Sequence, residues 1–363
     1  MAGRGKRCSA RPAAKAVLLA LCAGLAAGLG GCATQAHDEV VVGVGIEAGT
    51  NFKAVDYAAL YSPYAMMATA AYTEPYDFNG AYCPDPGRLA KPVAGADNES
   101  RASVRSWINY LHARGWECRF GIHGSLPCPT RAGGEKECTP VGGLQFHVWR
   151  RMQGGSCREA VIAFRGTDKN DSGDWASNFR WLYRLTPKFD QYAQVQTHIR
   201  KIVARIKKDN CAGKGIQFAT AGHSLGGGLA QQAAYADETG SIRYVYAFDP
   251  SPVTGFFDVS AMVLEKSADG LGVDRAYEAG EILALPRAII ENIHPPAPCN
   301  PRIRTVRFNL LSGLGVAQHN IENLTKQLQA TAKTRGANPR RVNDALRARA
   351  CKGAPMLLMV PPA

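Results

Sequence analysis

The apolar positions of this chain fall into two regions of different character. Asp56 to Tyr72 (DYAALYSPYAMMATAAY) is almost continuously apolar and predicts a buried helix, which Pro63 should interrupt or restart. Residues 75–142 are rich in Pro, Gly and Cys around one plausible helix at Ser103 to Arg114, and read as a disulfide-pinned insertion. From Gly143 onward, short β-branched and aromatic runs alternate with helical periodicity. Leu144 to Arg150 and Ala160 to Phe164 predict two strands able to form a hairpin. Tyr192, Val195, Ile199, Ile202, Val203 and Ile206 recur at helical spacing. Ile216 to Ala221 is a strand that runs directly into a helix beginning near Ser224, and Ile242 to Phe248 and Ile303 to Leu310 are further strands. Such alternation predicts a mainly parallel sheet covered by helices on both faces.

Composition narrows the class. Of 363 residues, 46% are hydrophobic and 20% charged, which excludes a disordered chain or a coiled coil. No interior run reaches the roughly 20 apolar residues of a membrane span. At the N-terminus, Arg4, Lys6, Arg7, Arg11 and Lys15 precede the apolar run Ala16 to Leu29, and no acid occurs before residue 32. This is the pattern of an export signal over residues 1–31. Leu29-Gly30-Gly31-Cys32 resembles the lipobox of bacterial lipoproteins, which implies diacylglycerol on Cys32; a tether follows over 32–55 with one strand in Val40 to Val44, ahead of the main domain over 56–363. Several acyl chains would hold such a protein permanently at a membrane. By the same resemblance, Ala33 in place of an acidic residue favours the outer over the inner membrane of the cell envelope.

The formal charge is +13, and much of the excess lies after His319, where eight Lys or Arg face only Glu322 and Asp344. Attraction to an anionic membrane surface and a solvated helix face both account for it. Nucleic acid is not an expected partner of an exported, tethered protein. Apart from Cys8, Cys22 and Cys32, eight cysteines remain, an even number suited to disulfides in an oxidising compartment. Eight cysteines allow 105 pairings, and Cys157 and Cys211, which flank core strands, also fit buried thiols. No CxxC pair occurs, so no zinc site, and no other metal or cofactor, is expected.

Chemistry concentrates at Gly222-His223-Ser224-Leu225-Gly226, followed by Gly227 and Gly228. In a Gly-x-Ser-x-Gly turn between strand and helix, the positions flanking the serine have no room for side chains, and the hydroxyl is thrust clear of the sheet. The apolar strand before it and the helix-compatible LAQQAAYADE after it supply that context. Leu225, at the helix start, offers its backbone N–H to a developing oxyanion. His223 should point away from the reacting centre.

Three blocks resemble the class 3, fungal-type lipases of the α/β-hydrolase fold: AVIAFRGTD (Ala160 to Asp168) with Asp174 to Phe179 downstream, TAGHSLGGGLA (Thr220 to Ala230), and a later acid and histidine. The likeness covers residues 143–334. It implies an α/β-hydrolase with Ser224 as nucleophile, a second oxyanion donor at Thr167, and partners following the serine in the order acid, then histidine. Only His294 and His319 lie downstream of Ser224, and His319, after the strand at 303–310, is favoured. For the acid, Glu281-Ile282-Leu283-Ala284-Leu285-Pro286 resembles the family's Asp-Ile-Val-Pro-x-Leu-Pro block, with glutamate where the family has aspartate; Asp249 and Glu278 remain rivals. Residues 168–183, with Trp175, Phe179, Leu182 and Tyr183 on one helical face, fall where related lipases carry a lid, and equally suit a fixed amphipathic helix.

The resulting expectation is a lipid-anchored serine ester hydrolase acting on triacylglycerol or phospholipid. The alternative is a catalytically silent hydrolase fold with a binding or structural role in the envelope.

Overall fold

Eight strands form one sheet in the computed structural model, which describes residues 40–42, 53–130, 133–134, 136, 138–140, 142–167, 190–213, 215–283, 300–312 and 315–333. In chain order the elements are β1 (Val40–Val42), α1 (Ala54–Ala70), α2 (Asn98–His112), β2 (Trp116–Gly124), β3 (Leu144–Gln153), β4 (Ser156–Phe164), α3 (Gln191–Lys208), β5 (Gln217–His223), α4 (Leu225–Ala236), β6 (Ile242–Phe248), α5 (Ala261–Ala268), β7 (Gly272–Glu278), β8 (Arg302–Phe308) and α6 (Ile321–Ala332). Across the sheet the order is β1-β8-β7-β6-β5-β4-β3-β2. Strands β4 to β8 run parallel, while β2, β3 and β4 form an antiparallel meander and β1 pairs antiparallel with β8. The mainly parallel sheet is what the alternating pattern predicts, and the arrangement is the α/β-hydrolase architecture that the resemblance implies.

The β3–β4 hairpin closes through Gly154 and Gly155, with φ of 58° and 74°. Two consecutive positive φ values match the twist of a tight hairpin and exclude most side chains. The parallel strands are buried on both faces. On one side, Tyr61, Tyr64 and Met67 of α1 and Leu324 and Leu328 of α6 pack with Ala221, Tyr246, Phe248 and Phe308. On the other, Val195, Ile199 and Val203 of α3 and Leu229 and Ala233 of α4 pack with Ile162, Val245 and Val273.

Helix α1 departs from expectation at Pro63, which lies inside it without ending it. Thirteen of its seventeen residues are buried between the sheet, α2 and α6. That packing outweighs the hydrogen bond a proline cannot donate. Residues 75–142 contain the expected helix, starting earlier at Asn98 behind the N-cap Asp97, and also an edge strand of the main sheet, β2. The 9-residue stretch WECRFGIHG alternates poorly, so the pairing with β3 rather than its own pattern defines it as a strand.

Three disulfides join Cys83 to Cys118, Cys128 to Cys138 and Cys157 to Cys211. The last decides between the two states open to Cys157 and Cys211 in favour of the expected disulfide: their Cα atoms lie 5.2 Å apart, within bonding geometry. Cys299 and Cys351 lie outside the described residues, as do residues 1–31, Cys32, the 168–183 segment, His294 and the basic C-terminal stretch from residue 334. Among the described residues, no helix is long and apolar enough to cross a membrane.

Candidate active site

Strand β5 ends at His223 and α4 begins at Leu225, so Ser224 makes the whole turn between them, with φ 56° and ψ −124°. Such a backbone is strained for a residue with a Cβ and persists only where its surroundings over-determine it. Four backbone hydrogen bonds do so. Ser224 N–H donates to Phe248 O at 3.0 Å, and its carbonyl accepts from Gly227, Gly228 and Ser251 at 3.0, 3.3 and 2.8 Å. The flanking glycines are required by contact: a Cβ on Gly222 would lie 2.1 Å from Gly226 O, and one on Gly226 would lie 2.4 Å from Phe164 O.

The imidazole of His319 stands over this turn, between the helical turn Gly315–Gln318 and the N-cap Asn320 of α6. Its Nε2 lies 3.1 Å from Ser224 Oγ, and its Nδ1 lies 2.8 Å from Glu281 Oε2. The carboxylate can only accept, so Nδ1 carries the proton and Nε2 is left to receive the serine O–H. Glu281 is buried in the loop after β7, and the same Oε2 accepts the Leu283 N–H at 2.8 Å. The three residues singled out from the sequence, Ser224, His319 and Glu281, therefore meet in one hydrogen-bonded chain.

The rival acids stand elsewhere. Asp249, buried after β6 with φ 40°, accepts the Glu278 N–H through Oδ1 at 2.9 Å. Its Oδ2 is 3.9 Å from His223 Nε2. Glu278 Oε1 accepts the Leu310 and Leu311 N–H groups. Burial first, with Asp249 nearby and against the Leu311 amide, pushes its carboxyl up to about 7.

The expectation that His223 points away from the centre is corrected. Its ring packs 4.7 Å from that of His319, held at Nδ1 by the Tyr72 hydroxyl at 3.0 Å and backed by Asp249. Tyr72 had no signal in the sequence, because it reaches the site from the end of α1, some 150 residues away. One nitrogen each from His223 and His319 and one Asp249 oxygen lie within 4.8 Å of one another, a grouping of metal-ligand type. Both nitrogens of His319 are already engaged by Glu281 and Ser224, so a metal there would have to break one of those contacts.

Leu225 is the first residue of α4, where backbone N–H groups have no partner within the helix. Gly166 abuts the elbow: a Cβ there would lie 2.6 Å from His223 O and 3.3 Å from Gly226 N. Thr167 follows it, at the end of the segment leaving β4. Arg165, in the same segment, is anchored to Gln145 Oε1 at 2.7 Å.

The profile of the Tle-like phospholipase domain matches residues 133–244, a stretch that includes Thr167, Ser224 and Leu225 and ends before Glu281 and His319. Over 144 residues the chain is 31% identical to an extracellular phospholipase A1 of Serratia liquefaciens, covering 38% of this chain and 41% of that protein. The chain thus spans about two fifths of the length of that relative. Among solved structures it is similar to lipase II of Rhizopus niveus, with 15% identity, a TM-score of 0.35 and coverage of 69% of this chain and 79% of the other. A Rhizomucor miehei lipase–propeptide complex gives 13% identity, a TM-score of 0.37 and coverage of 74% and 76%.

Proposed function

We propose that this chain is a serine ester hydrolase that cleaves the acyl esters of lipids, with phospholipid as the preferred substrate class. The observation that carries the reading is the chain of contacts from Ser224 Oγ through His319 to Glu281, set on a strained strand-to-helix turn. In this mechanism His319 Nε2 takes the proton of Ser224 as Oγ attacks the ester carbonyl. The oxyanion rests on the Leu225 and Thr167 N–H groups, each such donor contributing on the order of 3 kcal/mol to the transition state. Glu281 holds the imidazole in the required tautomer and stabilises the imidazolium. His319 then protonates the leaving alcohol, and a water activated by the same nitrogen releases the fatty acid.

Similarity to the phospholipase domain and to the Serratia enzyme supports lipid esters over short soluble ones, and phospholipid over triacylglycerol. No step requires a metal or an organic cofactor. Residues 1–31 act as an export signal in this reading, and Cys32 carries the lipid that tethers the enzyme to the envelope.

A fluorophosphonate probe tests the core of the proposal. Labelling of the full chain that disappears in Ser224→Ala is expected, together with release of fatty acid from phospholipid vesicles. Absence of labelling in folded protein refutes it. Incorporation of a labelled acyl chain that is lost in Cys32→Ala tests the anchor separately.

A further inference from the structure

The two partners of Ser224 arrive from neighbouring strands. Glu281 follows β7, and the chain leaving β8 leads to His319. The 2.8 Å contact between Glu281 Oε2 and His319 Nδ1 therefore depends on how these two segments are held against each other. Strand pairing fixes them only as far as Glu278 opposite Phe308, with a last backbone bond from Ala279 N–H to Phe308 O at 2.7 Å.

Beyond that pair a side chain takes over from the ladder. Glu278, the last residue of β7 and fully buried, accepts the Leu310 N–H at 2.7 Å and the Leu311 N–H at 3.0 Å on the same oxygen, Oε1. Both leucines are buried, so losing that oxygen strands two backbone donors away from water. Glu278 is itself tied to the end of β6, because its own N–H donates to Asp249 Oδ1 at 2.9 Å. Nearer the triad the two segments meet through backbone. Gly315 O accepts the Ile282 N–H and the His319 N–H, each at 3.1 Å, so the residue after Glu281 and the base share one carbonyl.

An acceptor, rather than a charge, is what the position requires. Burial first, with Asp249 nearby and against the Leu311 amide, pushes the Glu278 carboxyl up to about 7. Its second oxygen, Oε2, has no hydrogen-bond partner among the described residues. A neutral amide presenting one oxygen to Leu310 and Leu311 meets the same need.

We infer that Glu278 is a positioning residue of this hydrolase: by clamping the Leu310 and Leu311 amides to the end of β7, it keeps the His319 imidazole within reach of Glu281 and aligned on Ser224. The inference rests on the proposed triad and deepens it. Glu278 touches neither substrate nor the reacting atoms, and it acts through the segment that carries the base.

Two variants of similar length test the clamp in the full chain. Glu278→Gln keeps the acceptor oxygen, and Glu278→Met removes it. With a soluble nitrophenyl ester, kcat is expected to fall about 10²-fold in Glu278→Met at unchanged KM, the effect of displacing a catalytic group by about 1 Å. Glu278→Gln should stay within about threefold of the unaltered chain. The far-downfield proton resonance of a histidine bonded to a carboxylate reads the geometry directly: it is expected in the unaltered chain and in Glu278→Gln, and absent in Glu278→Met. A side chain that only supports the fold would lower the melting temperature of Glu278→Met and leave kcat and the resonance in place. That result, or an equal loss in both variants, overturns the clamp. Should Glu278→Met not fold, Glu278→Asp withdraws the acceptor by one methylene and should lower kcat at least about tenfold, an unaltered kcat being the refutation. Fluorophosphonate labelling keeps the two readings apart. A labelled chain in which Glu278→Met changes neither kcat nor the resonance keeps the hydrolase and loses the clamp. An unlabelled chain whose resonance vanishes in Glu278→Met keeps the clamp and loses the hydrolase.

Discussion

Replacing Glu281 by glutamine isolates the charge of the acid from its role in orienting the histidine. In serine triads the amide substitution typically costs about 10⁴ in rate, because the amide stabilises the wrong imidazole tautomer. Here the geometry favours a smaller loss. Glu281 Oε2 accepts two donors at once, His319 Nδ1–H and the buried Leu283 N–H, both at 2.8 Å. A glutamine that turned its NH₂ to that position would set two donors against the Leu283 amide and strand a buried N–H. Its carbonyl oxygen is therefore expected to stay there, and the tautomer with it. What disappears is the negative charge facing the imidazolium. Hydrogen bonds to charged groups exceed neutral ones by roughly 1–2 kcal/mol, and the partly screened attraction raises the total to about 3 kcal/mol.

Glu281→Gln should accordingly lower kcat/KM for a soluble nitrophenyl ester by about 10², while Asp249→Asn, whose Oδ1 contact to Glu278 an amide oxygen retains, lowers it less. Initial rates over a range of substrate concentrations, with thermal melts to verify folding, give both values. A loss near 10⁴ in Glu281→Gln would mean that the tautomer inverts despite Leu283. Unimpaired Glu281→Gln together with inactive, folded Asp249→Asn would remove Glu281 from the acid position altogether.

Three further outcomes follow from other parts of the molecule. Ser224→Gly should melt higher than Ser224→Ala by the equivalent of about 1 kcal/mol or more, because only glycine relieves the φ of 56°; calorimetry giving the reverse order contradicts the strain. Replacing Cys157 and Cys211 by alanine opens a loop of sequence separation 54 and should cost about 4 kcal/mol in urea unfolding, an unchanged midpoint being the contrary result. Glu159, buried at the sheet, is pushed up to about 7 by burial even though Arg151 lies 3.2 Å away. The folded chain thus holds this proton more tightly than the unfolded chain, whose carboxyl titrates near 4.5, so stability falls as pH rises from there through 7 by about 3 kcal/mol. Glu159→Gln, which stays neutral, should raise the melting temperature at pH 8 and change it little at pH 4.5; the same shift at both values excludes the carboxyl as the cause.

Local sterics and short-range periodicity were what the sequence could express. The glycines around Ser224 are legible because the contacts that forbid a Cβ come from the turn itself and from the neighbouring strand end at Phe164. The β3–β4 hairpin is legible from two β-branched and aromatic runs bounded by glycine, which Gly154 and Gly155 join. Strand β2 is not, since its partner β3, rather than its own polar sequence, makes it a strand. Two acids at the ends of adjacent strands, Asp249 after β6 and Glu281 after β7, look alike in one dimension. Distance separates them, because only Glu281 reaches Nδ1 of His319. Tyr72 and the cysteine pairs depend on contacts between distant segments, and no local pattern encodes those.

This division has a consequence for specificity. The groups assigned to chemistry lie between Thr167 and His319, on turns at the C-terminal ends of β4, β5 and β7 and in the approach to α6, where a doubly covered parallel sheet leaves backbone donors and side chains free to converge. A cavity of about 510 Å³ is built instead mostly from residues 69–104, with Ile321 and Glu322 closing one side. The phospholipase-domain match begins at residue 133 and ends at 244, so it includes the serine turn and none of the cavity wall. Likeness in that stretch bears on the chemistry proposed for Ser224. The segment from α1 to α2, which forms that wall, lies outside the matched stretch, so the likeness carries no information about what binds there.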